Sequence, residues 1–163
     1  MPPSLRHLLD PSRVTVGASA PTKAEALSAL VALLDGHPAV ADPARLAADV
    51  AAREAVMTTG VGEGLALPHA RTPAVTESVA ALATFAEPVP WASLDGEPVT
   101  LALLFAGPEA ERRAHVRLLA HVSRVLAPAG VRRRLAEAGT PGALAAALAE
   151  AEDGPVSQSP RGR

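Results

Sequence analysis

The segment V-A-A-L-A-T-F-A-E-P-V-P-W-A-S-L-D-G-E-P-V-T-L-A-L-L-F, from Val79 to Phe105, carries the strongest information about the fold. It begins and ends with runs of seven residues that are apolar except for one threonine each. Continuous apolar runs of this kind are typical of strands that are buried on both faces of a sheet. The pair Asp95-Gly96 marks a tight turn between the runs. Because helices must then cover both sides of the strands, the segment predicts an α/β sandwich.

Helix-start signals and helical spacing flank this segment on both sides. The predicted helices begin near Thr22, Asp42, Ala114, Val131 and Thr140, and further short strands are predicted at Arg13–Val16 and Leu65–Leu67. This alternation predicts one α/β domain over residues 1–152, in which a mixed, mostly parallel β-sheet is flanked by helices on both faces. Residues 153–163 have almost no apolar side chains to bury, so they are predicted to form a disordered tail.

The composition excludes several classes of function. The chain has 163 residues, a formal net charge of −2 and a pI near 6.2, which does not favour nucleic acid or an acidic membrane as a partner. It has no cysteine, so disulfides, thiolate chemistry and cysteine metal sites are excluded. No apolar run reaches the roughly 18–20 residues that span a bilayer, and the first residues lack the pattern of a signal peptide. We therefore expect a cytoplasmic protein without direct membrane insertion and without a cofactor.

The second informative segment is R-E-A-V-M-T-T-G-V-G-E-G-L-A-L-P-H-A-R, from Arg53 to Arg71. Three closely spaced glycines precede a short apolar run, Pro68 ends that run, and His69 follows it directly. This order predicts a histidine at the end of a short strand, behind a glycine-rich loop. Strand ends and loops on a rigid scaffold are where binding and catalytic residues concentrate. His69 is therefore a candidate functional residue, although a single histidine in such a place is more often a loop residue that has no special role.

Two further polar residues fall on helix faces that are otherwise apolar. Arg53 shares one stripe with Leu46, Val50 and Met57, because these positions are spaced by three and four residues. His115 lies in the middle of a second apolar stripe, on the helix predicted after the second buried strand. Each placement has a simpler alternative. Arg53 could lay its aliphatic stem along an apolar edge with its charge in water, and His115 could be a core histidine bonded to a carbonyl.

One explanation accounts for all three placements: the side chains converge on an anion. A buried polar group without a partner costs about 1–3 kcal/mol, so such groups need partners. Arginine has a planar fork of donors that matches the oxygens of a phosphate. Thr58, Thr59 and Gly60 add hydroxyl and backbone N–H donors in the loop, so these three residues and Arg53 are the predicted phosphate-binding residues.

In such a site the nucleophile is an imidazole nitrogen of His69. Histidine has an unperturbed pKa of about 6.5, and a cation such as Arg53 is expected to lower that pKa and keep the ring able to attack. The same cation stabilises the charge on the transferring group. A zinc site is the alternative, but it needs a third ligand beside His69 and His115, and the sequence has no H-x-x-x-H pair. We therefore predict a site without a metal.

Three segments of the chain also carry a family resemblance. They are T-T-G-V-G-E-G-L-A-L-P-H-A-R (Thr58 to Arg71), V-P-W-A-S-L-D-G-E-P-V (Val89 to Val99) and A-H-V-R-L-L-A-H-V-S-R-V-L (Ala114 to Leu126). In this order they resemble the recurring segments of enzyme IIA of the fructose/mannitol type, from the bacterial phosphoenolpyruvate:sugar phosphotransferase system (PTS). The nitrogen-regulatory IIA proteins share the first segment. The resemblance covers roughly residues 5–150.

The resemblance implies a role for each candidate residue. It implies that His69 carries the phosphoryl group at Nε2, that Arg53 helps to bind this group, and that His115 assists at the site. The protein would then be a phosphotransferase component that works through a phosphohistidine intermediate. The fold implied by the resemblance, a mixed sheet flanked by helices, agrees with the pattern of the strands.

The resemblance also implies partners. The phosphoryl donor would be an HPr-like phosphocarrier or its nitrogen-branch paralogue, and the acceptor a separate IIB protein or domain, commonly at a cysteine. One function is sugar uptake of the fructose/mannitol class. The alternative is a regulatory phosphoprotein whose phosphorylation state controls partner proteins. A third, a degenerate binding domain, is disfavoured because Arg53, His69 and His115 are all present.

Overall fold

Six strands form a single mixed sheet in the computed structural model, which describes residues 3–154. The strands are β1 (Val14–Ala18), β2 (Gly60–Gly62), β3 (Leu65–Ala66), β4 (His69–Thr72), β5 (Val79–Val89) and β6 (Val99–Pro108). The helices are α1 (Leu5–Leu8), α2 (Lys23–Ala32), α3 (Pro43–Val56), α4 (Arg112–Leu126), α5 (Ala129–Glu137) and α6 (Pro141–Asp153). A short 3₁₀ turn, Pro11–Arg13, precedes β1. The predicted α/β class and single domain are confirmed.

The sheet has the strand order β1-β5-β6-β3-β2, and β4 pairs with β6 farther along than β3 does. Three pairings are parallel (β1–β5, β3–β6 and β4–β6) and two are antiparallel (β2–β3 and β5–β6), so the predicted mixed, mostly parallel sheet is confirmed. The strands β3 and β4 pair in succession with the same strand, β6. The two residues between them, Leu67 and Pro68, therefore stay close to the middle of β6.

Both long strands are buried on both faces, as their apolar runs predict. In β6, Leu103 and Phe105 pack into one hydrophobic core, whereas Ala102 and Leu104 pack into another on the opposite face. Buried residues of α2 and α3 complete the core of Leu104, and buried residues of α1, α4, α5 and α6 complete the core of Phe105. The sheet therefore lies between two helical layers.

Side-chain caps begin three of the helices where the sequence predicts them. Thr22, Asp42 and Thr140 each accept a hydrogen bond from the backbone N–H three residues later, at 3.0–3.2 Å. Each cap satisfies one backbone donor that a helix leaves unpaired in its first turn.

The strand β5 is longer than the sequence predicts. It continues past Phe85 to Val89, although Pro88 cannot donate to a ladder. The register between β5 and β6 shifts between Thr84 and Val89, and an irregularity of this kind tolerates a proline because no N–H is required there.

The last helix, α6, extends slightly farther than the sequence predicts. It continues through Asp153, one residue beyond the predicted end of the domain. Most of the predicted tail, residues 155–163, lies outside the described residues. None of the helices within residues 3–154 is both long enough and apolar enough to cross a bilayer.

Candidate functional site

The strands β4 and β6 hold His69 beside Phe105. The two residues are partners in the parallel ladder, and the backbone N–H of Phe105 donates to Pro68 O at 3.1 Å. Their rings are stacked, with centroids 5.1 Å apart and planes 10° apart. His69 is half-buried and is the first residue of β4. The sequence predicts His69 at the end of the strand Leu65–Leu67, but β3 ends at Ala66 and His69 instead begins a further strand that was not predicted.

The hydrogen bond of the His69 ring defines which of its nitrogens can react. Nδ1 lies 2.7 Å from the carbonyl oxygen of Leu67. Because a carbonyl only accepts, Nδ1 carries the proton of the neutral ring and Nε2 holds the lone pair. The backbone thereby makes Nε2 the nucleophilic nitrogen of His69.

The helix α4 brings His115 to the same place. The centroid of its ring is 5.4 Å from that of His69 and 5.2 Å from that of Phe105. His115 is 7% exposed, so its predicted inward orientation is confirmed. Its Nδ1 is buried and has no hydrogen-bond partner within residues 3–154. Gly107 faces this nitrogen, since a Cβ there would lie only 3.4 Å from Nδ1.

Burial lowers the pKa of both histidines. For His69 the loss of hydration is the largest cause, the hydrogen bond to Leu67 opposes it, and the charge of Arg53 lowers the pKa further. For His115 burial is again the largest cause, followed by the charges of His69, Arg71 and Arg53, and the pKa falls to about 4. Both rings are therefore neutral near pH 7. The predicted direction for His69 is confirmed, but burial contributes more than Arg53.

His69, His115 and Arg53 line one cavity of about 380 Å³, so the structure brings the three predicted residues together. The other charged residues that line it are Arg45, Asp49, Arg71 and Glu109. Arg45 is paired with Asp49 at 2.9 Å, whereas Arg53 and Arg71 form no ion pair within the described part of the chain. The cavity therefore offers two unneutralised cations to an anion. No three histidine or carboxylate side chains in residues 3–154 are arranged to hold a metal ion.

The side chain of Arg53 bonds to the residue that follows its own helix. Its Nη1 donates to Met57 O at 3.0 Å, which satisfies a carbonyl just past α3. Leu46 and Val50 are buried as the stripe predicts, but Met57 is 61% exposed. The predicted place of Met57 on the buried stripe is wrong because α3 ends at Val56 and the backbone of Met57 is extended. The remaining donors of the Arg53 guanidinium are available to a ligand in the cavity.

The donors of the predicted phosphate site are already bonded, either to Glu54 of α3 or to a neighbouring residue. The Thr59 N–H donates to Glu54 Oε1 at 2.9 Å, and the Thr59 hydroxyl donates to the same carboxylate. The Gly60 N–H donates to Thr58 Oγ1 at 3.1 Å. None of these three loop residues lines the cavity of His69. The structure therefore does not bring Thr58, Thr59 and Gly60 together with the two histidines.

Two charged residues near the site were not singled out from the sequence. Arg71 lies two residues after His69 in β4 and therefore on the same face of the strand, a relation that the period of two could have identified. Glu54 is 6% exposed despite its charge. It follows Leu46 and Val50 at intervals of four residues, and this spacing could have placed it on the edge of the apolar stripe.

We expect the protein to lose stability in mild acid because of His115. Its pKa is about 4 in the folded protein and about 6.5 in an unfolded chain. Between these values the unfolded state binds a proton that the folded state does not, so stability rises with pH. Lowering the pH from about 7 to about 5 should reduce the free energy of unfolding by about 1–2 kcal/mol through this residue. Urea unfolding of the wild type and of His115→Gln at both pH values measures this contribution, and equal pH dependence of the two proteins would contradict it.

Comparison with known proteins identifies the family. Residues 7–151 match the family model described as phosphoenolpyruvate-dependent sugar phosphotransferase system, EIIA 2. The chain is 31% identical to a nitrogen regulatory protein of Pseudomonas aeruginosa, over 92% of this chain and 97% of that protein. It is 37% identical, over 78% of its length, to the PTS system 2-O-alpha-mannosyl-D-glycerate-specific EIIABC component of Escherichia coli, of which it spans only 20%.

A solved structure has the same fold. The nitrogen regulatory protein IIA-Ntr of Neisseria meningitidis superposes with a TM-score of 0.82 at 24% identity, over 88% of this chain and 98% of that one. The resemblance seen in the three sequence segments is thus confirmed by the family match and by the fold. Because the family match extends over most of the chain, this protein belongs to the EIIA 2 family of the phosphoenolpyruvate-dependent sugar phosphotransferase system, whose members act in phosphotransfer.

Proposed function

We propose that this chain is a phosphocarrier that accepts a phosphoryl group on His69 Nε2 and passes it to a partner protein. The observation that carries the proposal is the 2.7 Å hydrogen bond between His69 Nδ1 and Leu67 O, which leaves Nε2 as the nucleophile. The same ring lines a cavity with Arg53 and Arg71, two cations suited to a phosphoryl group. Membership of a phosphotransfer family supports the proposal.

In the proposed first step, the lone pair of His69 Nε2 attacks the phosphorus of a phosphorylated HPr-like carrier or its nitrogen-branch paralogue. A bond forms between Nε2 and phosphorus while the bond between phosphorus and the donor breaks, and the donor keeps that electron pair. His69 Nδ1 keeps its proton, and Leu67 O stabilises the positive charge that develops on the ring. In the second step an acceptor attacks the phosphorus and His69 leaves with its electron pair.

The cations of the cavity have a defined role in this step. Arg53 and Arg71 stabilise the negative charge that spreads over the phosphoryl oxygens. His115 is neutral near pH 7, so its ring can donate one hydrogen bond to the same oxygens. Contacts of Thr58, Thr59 and Gly60 with phosphate stay a prediction, which the bonds from Thr59 to Glu54 and from Gly60 to Thr58 do not favour.

For the acceptor we propose a separate IIB protein or domain. The role of this chain would then be to supply phosphoryl groups for sugar uptake of the fructose/mannitol class, and we propose that it acts in the cytoplasm. The Escherichia coli relative supports an acceptor of this kind, since it is named as an EIIABC component. The chain spans about a fifth of that relative, so the sugar itself does not carry over.

A regulatory role is the second candidate. The similarity to the Pseudomonas aeruginosa nitrogen regulatory protein favours it, because the match extends over 97% of that protein. In this role the phosphorylation state of His69 would control the binding of a partner, and no sugar would be moved.

A phosphorelay assay tests the proposal and separates the two roles. The protein is mixed with phosphoenolpyruvate, enzyme I and HPr, or with the nitrogen-branch carriers, and its intact mass is measured. We expect one added phosphoryl group that is lost in acid, because phosphohistidine is acid-labile. Loss of this group to an added IIB protein supports sugar uptake, whereas charging by the nitrogen-branch carrier alone, without transfer to IIB, supports regulation. No added mass with either carrier rejects the phosphocarrier function.

A further inference from the structure

Glu54 is a buried carboxylate that does not line the cavity of His69. It is 6% exposed and accepts hydrogen bonds from the Thr59 N–H at 2.9 Å, from the Thr59 hydroxyl and from Trp91 Nε1 at 3.1 Å. The ammonium group of Lys23 forms an ion pair with the same carboxylate. A charged side chain is rarely buried unless it is paired and hydrogen-bonded, and this carboxylate has four such contacts.

A path of hydrogen bonds connects Glu54 to His69. Glu54 holds the N–H and the hydroxyl of Thr59. The carbonyl oxygen of Thr59 accepts from the Leu67 N–H at 3.0 Å. The carbonyl oxygen of Leu67 lies 2.7 Å from His69 Nδ1. The residue that keeps the proton on Nδ1 is therefore fixed through Thr59 by the buried carboxylate.

The loop has little freedom to replace this anchor. Without Glu54, the Thr59 N–H and the Trp91 indole would be buried donors without an acceptor, which a folded protein avoids by rearranging. Gly60 already packs against Ser93, since a Cβ at Gly60 would lie 2.3 Å from Ser93 Oγ. Gly60 therefore has no room to move if Thr59 shifts. Leu67 would move instead, because its N–H is bonded to the carbonyl oxygen of Thr59.

We propose that Glu54 is a positioning residue for phosphoryl transfer, which holds Thr59 and, through Leu67, keeps His69 in the tautomer that presents Nε2. The kinetic consequence rests on the proposed function of His69. The tautomer itself is a property of the unphosphorylated protein and can be measured whether or not the chain accepts phosphate.

The decisive measurement is the ¹⁵N NMR spectrum of the His69 ring near pH 7, which distinguishes a protonated from an unprotonated ring nitrogen. We expect the wild type to hold the proton on Nδ1 and Glu54→Ala to populate both tautomers. Glu54→Gln should restore the wild-type spectrum, because the amide can accept from the Thr59 N–H and donate to the Thr59 hydroxyl. Thr59→Val, which removes one of the bonds, should shift the tautomers in the same direction by less.

The matched control is Glu152→Ala. Glu152 is also a carboxylate with several donors, accepting from Ser4 Oγ and the Leu5 N–H at 2.6–2.8 Å and bonded to His121, but it is on α6. This variant should lose stability and leave the His69 spectrum unchanged. An unchanged tautomer in folded Glu54→Ala, or an equal change in Glu152→Ala, overturns the proposal. If Glu54→Ala does not fold, an unchanged spectrum of Thr59→Val overturns it.

The phosphorelay gives the second readout. Weakening the hydrogen bond between His69 Nδ1 and Leu67 O should slow phosphorylation of Glu54→Ala by about 3- to 10-fold, and Glu54→Gln should recover most of the rate. A wild type that accepts no phosphoryl group, together with the expected tautomer changes, would reject the phosphocarrier function and leave the positioning of His69 by Glu54 supported.

Discussion

Replacing His69 with alanine is expected to abolish phosphorylation of this protein, with the rate falling by more than about 1,000-fold. The substitution removes the nucleophile itself. His115 is not expected to take its place, because it is only 7% exposed. The fold should survive, since the loss of the stacked Phe105 contact costs about 0.5–1.5 kcal/mol. The measurement is the intact mass of His69→Ala after incubation with phosphoenolpyruvate, enzyme I and HPr.

The control for this result is a histidine outside the cavity. His121 is bonded to Glu152 at 2.7 Å on the helices α4 and α6, so His121→Ala removes an imidazole without touching the cavity. It should be phosphorylated like the wild type. If His69→Ala gains a phosphoryl group at the wild-type rate, the assignment of His69 is wrong.

The fold could be predicted from the sequence because its main signals are local. The apolar runs that became β5 and β6 require burial on both faces, and the caps at Thr22, Asp42 and Thr140 require a helix to begin there. What these signals do not contain is the pairing of strands. The short strands β3 and β4 lie side by side with β6 only because tertiary contacts select this arrangement, and four or fewer residues specify little by themselves.

The candidate site could be predicted in part for the same reason. Arg53 and His115 were found because a polar residue on an apolar helix face is visible as spacing. The sequence did not show that Glu54 would accept the hydrogen bonds of Thr59 in place of a phosphate. That contact depends on Glu54 being buried against Trp91, which is 37 positions away in the sequence. The glycine-rich loop therefore suggested donors for phosphate, whereas in the folded chain the Thr59 and Gly60 N–H groups are already bonded to Glu54 and Thr58.

Arg53→Ala is expected to slow phosphorylation by about 10- to 100-fold, because hydrogen bonds to a charged group contribute about 1.5–3 kcal/mol. The competing view is that Arg53 only caps α3 through Met57 O. The two views differ in what the variant loses: capping affects stability by about 1 kcal/mol at an exposed helix end, whereas phosphoryl binding affects the transfer rate.

Two further variants separate these views. Arg53→Lys, which keeps the charge and loses the fork of donors, should have a phosphorylation rate between those of Arg53→Ala and the wild type. Arg45→Ala should have a smaller effect than Arg53→Ala, because Arg45 is already paired with Asp49. Rates are compared with free energies of unfolding for the same proteins, and a folded Arg53→Ala with the wild-type rate would leave Arg53 with the capping role alone.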